Sequence, residues 1–279
     1  LIKIYFEQHN ELEKFICLLQ ADANPLFSCE HSDDRVVAIH LVQEEEKGLA
    51  AVARAVAQFI LHFMEDRLLL SIISGTFYYN DEEEQQQILQ LAHSFLDGER
   101  HDYRTGKKHR QSREALIMDA LLPFLKDGLS FSLASFVTFR LKPYIQLLSH
   151  YVELAIDEYK LEQEYQTFVQ LLRDYVAVRE TKWSVVHLVH RPPEFFFFDA
   201  QFRYVPKTEL KQWIDRKLVN QPMYIDATVL APLVSLAPKT IYVYTDEPDD
   251  GMLQTLQNVF QERLRFFPSQ AFRRSLPVE

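Results

Sequence analysis

Hydrophobic and polar positions change period several times along this chain, and each change marks an element. Ile2, Ile4 and Phe6 alternate with Lys3 and Tyr5, as in a strand with one face buried. Leu12, Phe15, Ile16 and Leu19 then recur at helical spacing, and residues 36–42 form a second β-rich run. The pattern predicts strand, helix, strand, with a right-handed crossover if the two strands are parallel.

A long helical stretch is predicted over residues 47–74, where Val52, Val56, Phe59, Phe63 and Leu70 trace one apolar face before Gly75. Another covers 81–96, opened by Asp81, Glu82, Glu83 and Glu84, which suit the positive end of a helix dipole. Residues 99–112 are a polar connection. A helix over 115–125 follows, closed by Gly128, and a serine- and phenylalanine-rich approach then leads to Pro143.

From there the pattern is the most regular in the chain. Leu147, Leu154, Leu161, Phe168 and Tyr175 form one heptad series, and Tyr144, Tyr151, Tyr165 and Leu172 a second, broken only by Glu158. Pro143 suits the first turn of a helix, so one amphipathic helix is predicted over about 143–175. Leu148, Val152, Ala155, Val169 and Val176 widen its stripe beyond a zipper seam, which favours a bundle spine over a dimeric coiled coil.

After Glu180 the period falls to two. Trp183, Val185, His187 and Val189 alternate with Ser184, Val186, Leu188 and His190, and Pro192 and Pro193 turn the chain into a second strand from Phe195. Short helices capped by Thr208 and Asp226 follow, the second delayed or kinked by Pro232. A strand over 240–245, a helix through Leu253, Leu256, Val259, Phe260 and Leu264, and a short strand over 265–267 complete the chain. The fold class read from this is α+β: a mostly helical core around one long amphipathic helix. A helical region over 1–180 carries the strand–helix–strand start, and a small α/β unit covers 181–279, unless both β parts share one sheet and make a single domain.

With 47% hydrophobic residues in 279, the chain can bury a substantial core. A net charge of −10 repels nucleic acid and anionic membrane except at a local basic patch. Cys17 and Cys29 have neither metal-ligand spacing nor a disulfide framework, as expected of a reducing, cytoplasmic setting. Residues 1–6 lack the pattern of a signal peptide. The most apolar stretch, 49–73, is interrupted by Arg54, Gln58, His62, Glu65, Asp66 and Arg67, too polar for a membrane span.

Motifs for chemistry are sparse. The six glycines are never closer than eight residues apart, so no phosphate loop or dinucleotide fingerprint is present, and no G-x-S-x-G elbow occurs. No cofactor is expected, and no catalytic residue is assigned. His187 and His190, three apart on a strand, point to opposite faces and make a poor metal pair.

The local anomaly is basic: Arg100, Arg104, Lys107, Lys108, Arg110 and Arg113, with His101 and His109, face a single acid, Asp102, in fourteen residues. Such a cluster can contact phosphates and would bind nucleic acid in a salt-dependent way. A solvated loop, or one paired with the protein's own acidic faces, is the preferred reading, because only Tyr103 offers stacking. Glu158 is either a buried carboxylate of raised pKa or one half of an ion pair with an arginine of another helix, the second being preferred.

The stretch Phe136-Val-Thr-Phe-Arg-Leu-Lys-Pro-Tyr144, followed by Asp157-Glu-Tyr159, Glu164-Tyr165 and Leu171-Leu-Arg-Asp-Tyr175, resembles the central signature of the YtxC-like family of sporulation proteins. Leu233-Val-Ser-Leu-Ala-Pro-Lys239 and Leu256-Gln-Asn-Val-Phe260 resemble its C-terminal part. The resemblance covers about the second half of the chain. It implies an endospore-forming source and a role in sporulation, with no activity to carry over. Within it Arg140 stands out: its planar fork can hold two acceptors, or it ties the helix entry to an acid such as Glu158 or Asp157. The leading expectation is a structural or interaction protein with a protein partner. Nucleic-acid binding through residues 100–113 comes second, and an enzyme with a divergent site between the helical region and the C-terminal sheet third.

Overall fold

The computed structural model describes residues 1–21, 26–42, 45–101, 112–215, 218 and 225–275. The chain is α+β and divides into two units, Leu1–Lys160 and Leu161–Glu279. That division falls inside the long helix, some twenty residues before the change of period after Glu180.

The first unit opens with β1 (Ile2–Tyr5), α1 (His9–Ala21), β2 (Phe27–Asp33) and β3 (Val36–Leu41). Strand β1 pairs with β3 antiparallel, so no parallel crossover joins them. The pattern missed β2, which forms an antiparallel hairpin with β3 although its sequence Phe-Ser-Cys-Glu-His-Ser-Asp is mostly polar. Ile2, Ile4, Val37 and Ile39 are fully buried in one core with α1. There the rings of Phe6, Phe15 and Phe59 meet pairwise at 5.2 to 5.6 Å.

The stretch read as one helix is α2 (Glu45–Phe59), a π turn (Ile60–Met64) and α3 (Glu65–Gly75). Its inserted residue shifts the phase of the helix, so Phe63 of the predicted face is exposed while Met64 and Leu69 are buried. Helix α4 (Glu82–Leu96) is capped by Asp81, whose carboxylate accepts from the N–H groups of Glu83 and Glu84 at 3.0 Å each. Helix α5 (Arg113–Leu121) follows. The approach to Pro143 is ordered into β4 (Ser130–Ser132), parallel to β1, and α6 (Leu133–Arg140), capped by the Ser132 hydroxyl. The first sheet thus has the order β2-β3-β1-β4.

Helix α7 (Lys142–Ala177) is the predicted long helix, 36 residues in length. Tyr144, Leu148, Val152, Leu154, Ala155 and Tyr159 are buried in the core of the first unit, and Val169, Leu172 and Val176 in that of the second. Leu161 of the heptad series is instead exposed. A straight α-helix drifts about 20° per heptad, so a strict seven-residue series does not stay on one buried face.

The second unit contains β5 (Val185–Arg191), β6 (Glu194–Phe198), β7 (Tyr204–Val205), α8 (Lys207–Trp213), α9 (Leu230–Leu236), β8 (Thr240–Tyr244), α10 (Gly251–Phe260), β9 (Leu264–Phe267) and α11 (Ser269–Ser275). Its sheet has the order β7-β6-β5-β8-β9, separate from the first sheet among the described residues. Strands β5 and β6 are the predicted hairpin, while β8 runs parallel to both β5 and β9. Pro206, not Thr208, stands at the N-terminus of α8. Asp226 accepts from the N–H groups of Thr228, Val229 and Leu230, and α9 begins only at Leu230, consistent with the delay expected of Pro232.

Alternation gives this sheet two faces. Val186, Leu188, Phe197, Val205, Ile241 and Val243 enter the core shared with α8, α9 and α10. On the opposite face Val189 and Tyr244 pack with Phe272 of α11, joined by Phe196, Phe198, Phe202 and Tyr242.

Candidate functional site

Two arrangements of polar side chains stand out, one in each unit. In the first, the π turn delivers Glu65 into the core, where it is only 3% exposed. Glu65 Oε1 accepts from Arg113 Nη1 at 2.5 Å, and Oε2 accepts from the Tyr144 hydroxyl at 2.5 Å. Arg113 Nη2 donates to Asp97 Oδ1 at 2.8 Å. Burial, and then the Glu65 charge and hydrogen bond, push the Tyr144 hydroxyl well above its ordinary pKa, against the opposing pull of Arg113. Tyr144 is therefore a fixed donor, and the network ties α3, α5 and the first turn of α7 together.

Sequence reasoning did not select Glu65. A signal was present, because Glu65 stands four residues before Leu69 and seven before Ile72, both buried, so it interrupts an apolar helix stripe. The residues that were selected are distributed differently. Arg113 belongs to this network. Arg100 donates to Glu158, and both side chains of that pair are partly exposed. Arg104, Lys107, Lys108 and Arg110 lie outside the described residues. Arg140, at the end of α6, is exposed and sets its guanidinium over the Phe124 ring, 5.5 Å from the centroid. Among the described residues the Glu158 carboxylate is bonded to Arg100 rather than to Arg140. Beside Arg140, Phe139 is 69% exposed.

In the second unit His187 and His190 occupy opposite faces of β5, as their spacing requires. His190 stacks on Phe195 at 4.4 Å, and its Nδ1 is hydrogen-bonded to the Thr245 hydroxyl at 3.0 Å. His187 stacks on Phe202 at 4.0 Å and on Tyr242 at 5.2 Å, and its Nδ1 is hydrogen-bonded to the Tyr244 hydroxyl at 3.0 Å. Burial lowers the His187 pKa below its ordinary value, with Asp199 opposing.

Phe202 is held over the imidazole at φ +60°, a left-handed conformation costly for a bulky side chain. Asp199 builds that turn: its Oδ1 accepts from the N–H groups of Gln201 and Arg203 at 2.9 Å each, and its Oδ2 from Arg203 Nε at 2.7 Å. Although burial pushes the Asp199 carboxyl upward, these bonds prevail and hold it below the usual carboxylate range.

His187 also lines a cleft of about 530 Å³ with Tyr242, Tyr244, Phe267, Pro268, Gln270, Ala271 and Arg274. Among the described residues no group of three His, Cys, Asp or Glu side chains is placed to hold a metal ion. No helix among them is long and apolar enough to cross a membrane.

Comparison with known proteins adds identity to this geometry. The model of the YtxC-like family matches residues 50–265. The chain is also 40% identical to the uncharacterized protein YtxC of Bacillus subtilis (strain 168), over 98% of this chain and 96% of that protein. No solved structure matches the chain.

Proposed function

Because this chain belongs to the YtxC-like family, we propose that it is a sporulation-associated, non-enzymatic interaction protein that binds its partner through the surface of α6. The observation that carries this reading is the placement of the signature segment. Its end, Tyr144, is anchored on Glu65, while Phe139 and Arg140, a few residues earlier, are exposed. Aromatic and arginine side chains are enriched at protein interfaces. This pair fits a protein partner that offers an apolar pocket next to a carboxylate. The sporulation setting comes from the family resemblance of this same segment.

The buried polar chemistry of the first unit supports a binding protein. Both carboxylate oxygens of Glu65 are occupied, one by a guanidinium and one by a hydroxyl, an arrangement suited to rigidity.

Deletion of the gene in an endospore-forming host is expected to lower the yield of heat-resistant spores. A Phe139→Asp copy, accumulating to the normal level, is expected not to restore it. Unchanged spore yield on deletion overturns the sporulation role, and full rescue by Phe139→Asp overturns the α6 surface. Turnover of a nucleotide or phosphoester at a rate abolished by one substitution overturns the non-enzymatic reading.

A further inference from the structure

The cleft beside His187 has no part in the reading above, and it is built for a small ligand. Its volume of about 530 Å³ lies within the range of about 300–1,000 Å³ of small-molecule sites. Its aromatic rings come from adjacent strands: Tyr242 and Tyr244 of β8 lie close to parallel with the His187 ring, at interplanar angles of 21° and 26°. Phe267 of β9 adds a further ring, 5.8 Å from that of Tyr244. Such surfaces stack flat rings with little regard to their substituents.

The polar groups are placed around this floor. Gln270 and Arg274 reach the cleft from α11. Arg265, the register partner of Tyr242, lies on the same face of the sheet. A guanidinium presents donors in a planar fork that matches a phosphate or carboxylate. His187 supplies the remaining group. Its Nδ1 is bonded to Tyr244, and among the described residues its Nε2 takes no bond. Since among the described residues no buried side-chain nitrogen or oxygen lacks a partner, Nε2 is open to the cleft that His187 lines. The strained Phe202 clamps this imidazole in place.

We propose that this cleft binds a mononucleotide: the base stacks on Tyr242 and Phe267 within reach of His187, and the phosphate meets Arg274. A flat ring joined to an anion is the chemistry that satisfies both halves of the lining. A nucleic-acid strand offers the same chemistry, but the net charge of −10 disfavours a polyanion far more than one phosphate.

The test is calorimetric titration of the full chain with AMP, UMP, adenosine, ribose 5-phosphate and a single-stranded oligonucleotide. Saturable binding of at least one mononucleotide is expected, with adenosine and ribose 5-phosphate both weaker. Arg274→Gln is expected to weaken the mononucleotide about ten- to a hundredfold, the loss of one charge-assisted contact, and to leave adenosine unchanged. Tyr242→Leu is expected to weaken both, with circular dichroism checking the fold. In the unmodified protein the His187 imidazole NMR signals are expected to shift with the same saturation curve, independent of any variant.

No saturation up to about 1 mM, the weak end of specific affinity, overturns the proposal. So does an unchanged affinity in Arg274→Gln, or ribose 5-phosphate binding as tightly as AMP. Tighter binding of the oligonucleotide than of any mononucleotide replaces the assigned source with a strand. Mononucleotide binding without turnover leaves the interaction reading intact. Absence of binding removes only this site.

Discussion

The Glu65 network and the His187 cleft use similar side chains to opposite ends. Around Glu65 both carboxylate oxygens are bonded to other side chains, and the phenol of Tyr144 is spent on one of them. Around His187 one ring nitrogen is bonded to a tyrosine and the other is open to a cleft. Burial alone does not separate the two, since His187 is only 5% exposed. The difference lies in saturation: a closed polar cluster specifies packing, whereas an open one has capacity left for a ligand.

The largest effect expected from breaking this comparison is at Glu65. Glu65→Ala leaves a guanidinium and a buried hydroxyl without their acceptor. Breaking a buried pair costs about 3–5 kcal/mol. The lower end, about 3 kcal/mol, is expected because Arg113 keeps Asp97 and is partly exposed. Urea unfolding followed by far-ultraviolet circular dichroism measures it, and a loss under about 1 kcal/mol would show that the network is not structural. Replacing the three together, Glu65→Leu with Arg113→Met and Tyr144→Phe, is expected to recover most of the loss, since neither a buried charge nor a buried hydroxyl is then left unpaired and Asp97 is solvent-exposed. Tyr144→Phe removes one bond to a charged acceptor and is expected to cost about 1.5–3 kcal/mol in the same measurement.

These partners show where sequence reading stops. Strong periods were legible: β1, α1, α4 with its acidic start, α7 and the β5–β6 hairpin all follow from spacing and turn residues. Strand β2 was not, because its polar residues give little alternation and its pairing comes from Val36, Val37, Ala38 and Ile39 on the neighbouring strand. Helix α6 was hidden by a run rich in serine, phenylalanine and β-branched residues, which do not favour helix on their own. Of the polar network, Arg113 was visible as a charge anomaly. Its partner Glu65 is 48 positions away, and that pairing is fixed by helix packing, which local spacing does not encode. The aromatic face of the second sheet was visible only as alternation. That His187 lines a cleft depends on α11 and on the turn at 199–203, neither of which the pattern marked.

The cleft has its own, smaller test. Burial depresses the His187 pKa below 6.5, so the unfolded chain takes up this proton at a higher pH than the folded one. The stability it confers is complete above about pH 6.5 and is lost as the pH falls through the folded value. Asp199, the charge that opposes the shift, stays ionised over this window because its own pKa is held low. Both tryptophans, Trp183 and Trp213, lie in the second unit, so their fluorescence follows this part of the molecule. Between pH 7.5 and pH 5 the urea midpoint read by fluorescence is expected to fall more in the wild type than in His187→Phe. Equal falls would mean that the imidazole is not effectively desolvated.

The smallest effect sharpens the comparison within one unit. Arg100–Glu158 and Arg113–Glu65 are both arginine–glutamate pairs, and both arginines come from the basic segment. Their surroundings differ: the side chains of Arg100 and Glu158 are 43% and 35% exposed, against 28% and 4% for Arg113 and Glu65. Water and salt screen the first pair, and exposed pairs contribute about 0.2–1 kcal/mol. Arg100→Ala is therefore expected to lower stability by no more than about 1 kcal/mol, with the difference shrinking in about 1 M salt. The effect of Glu65→Ala is expected to persist there, because its carboxylate is out of reach of the ions. Equal losses for the two substitutions, with equal salt dependence, would show that burial does not set the strength of these pairs.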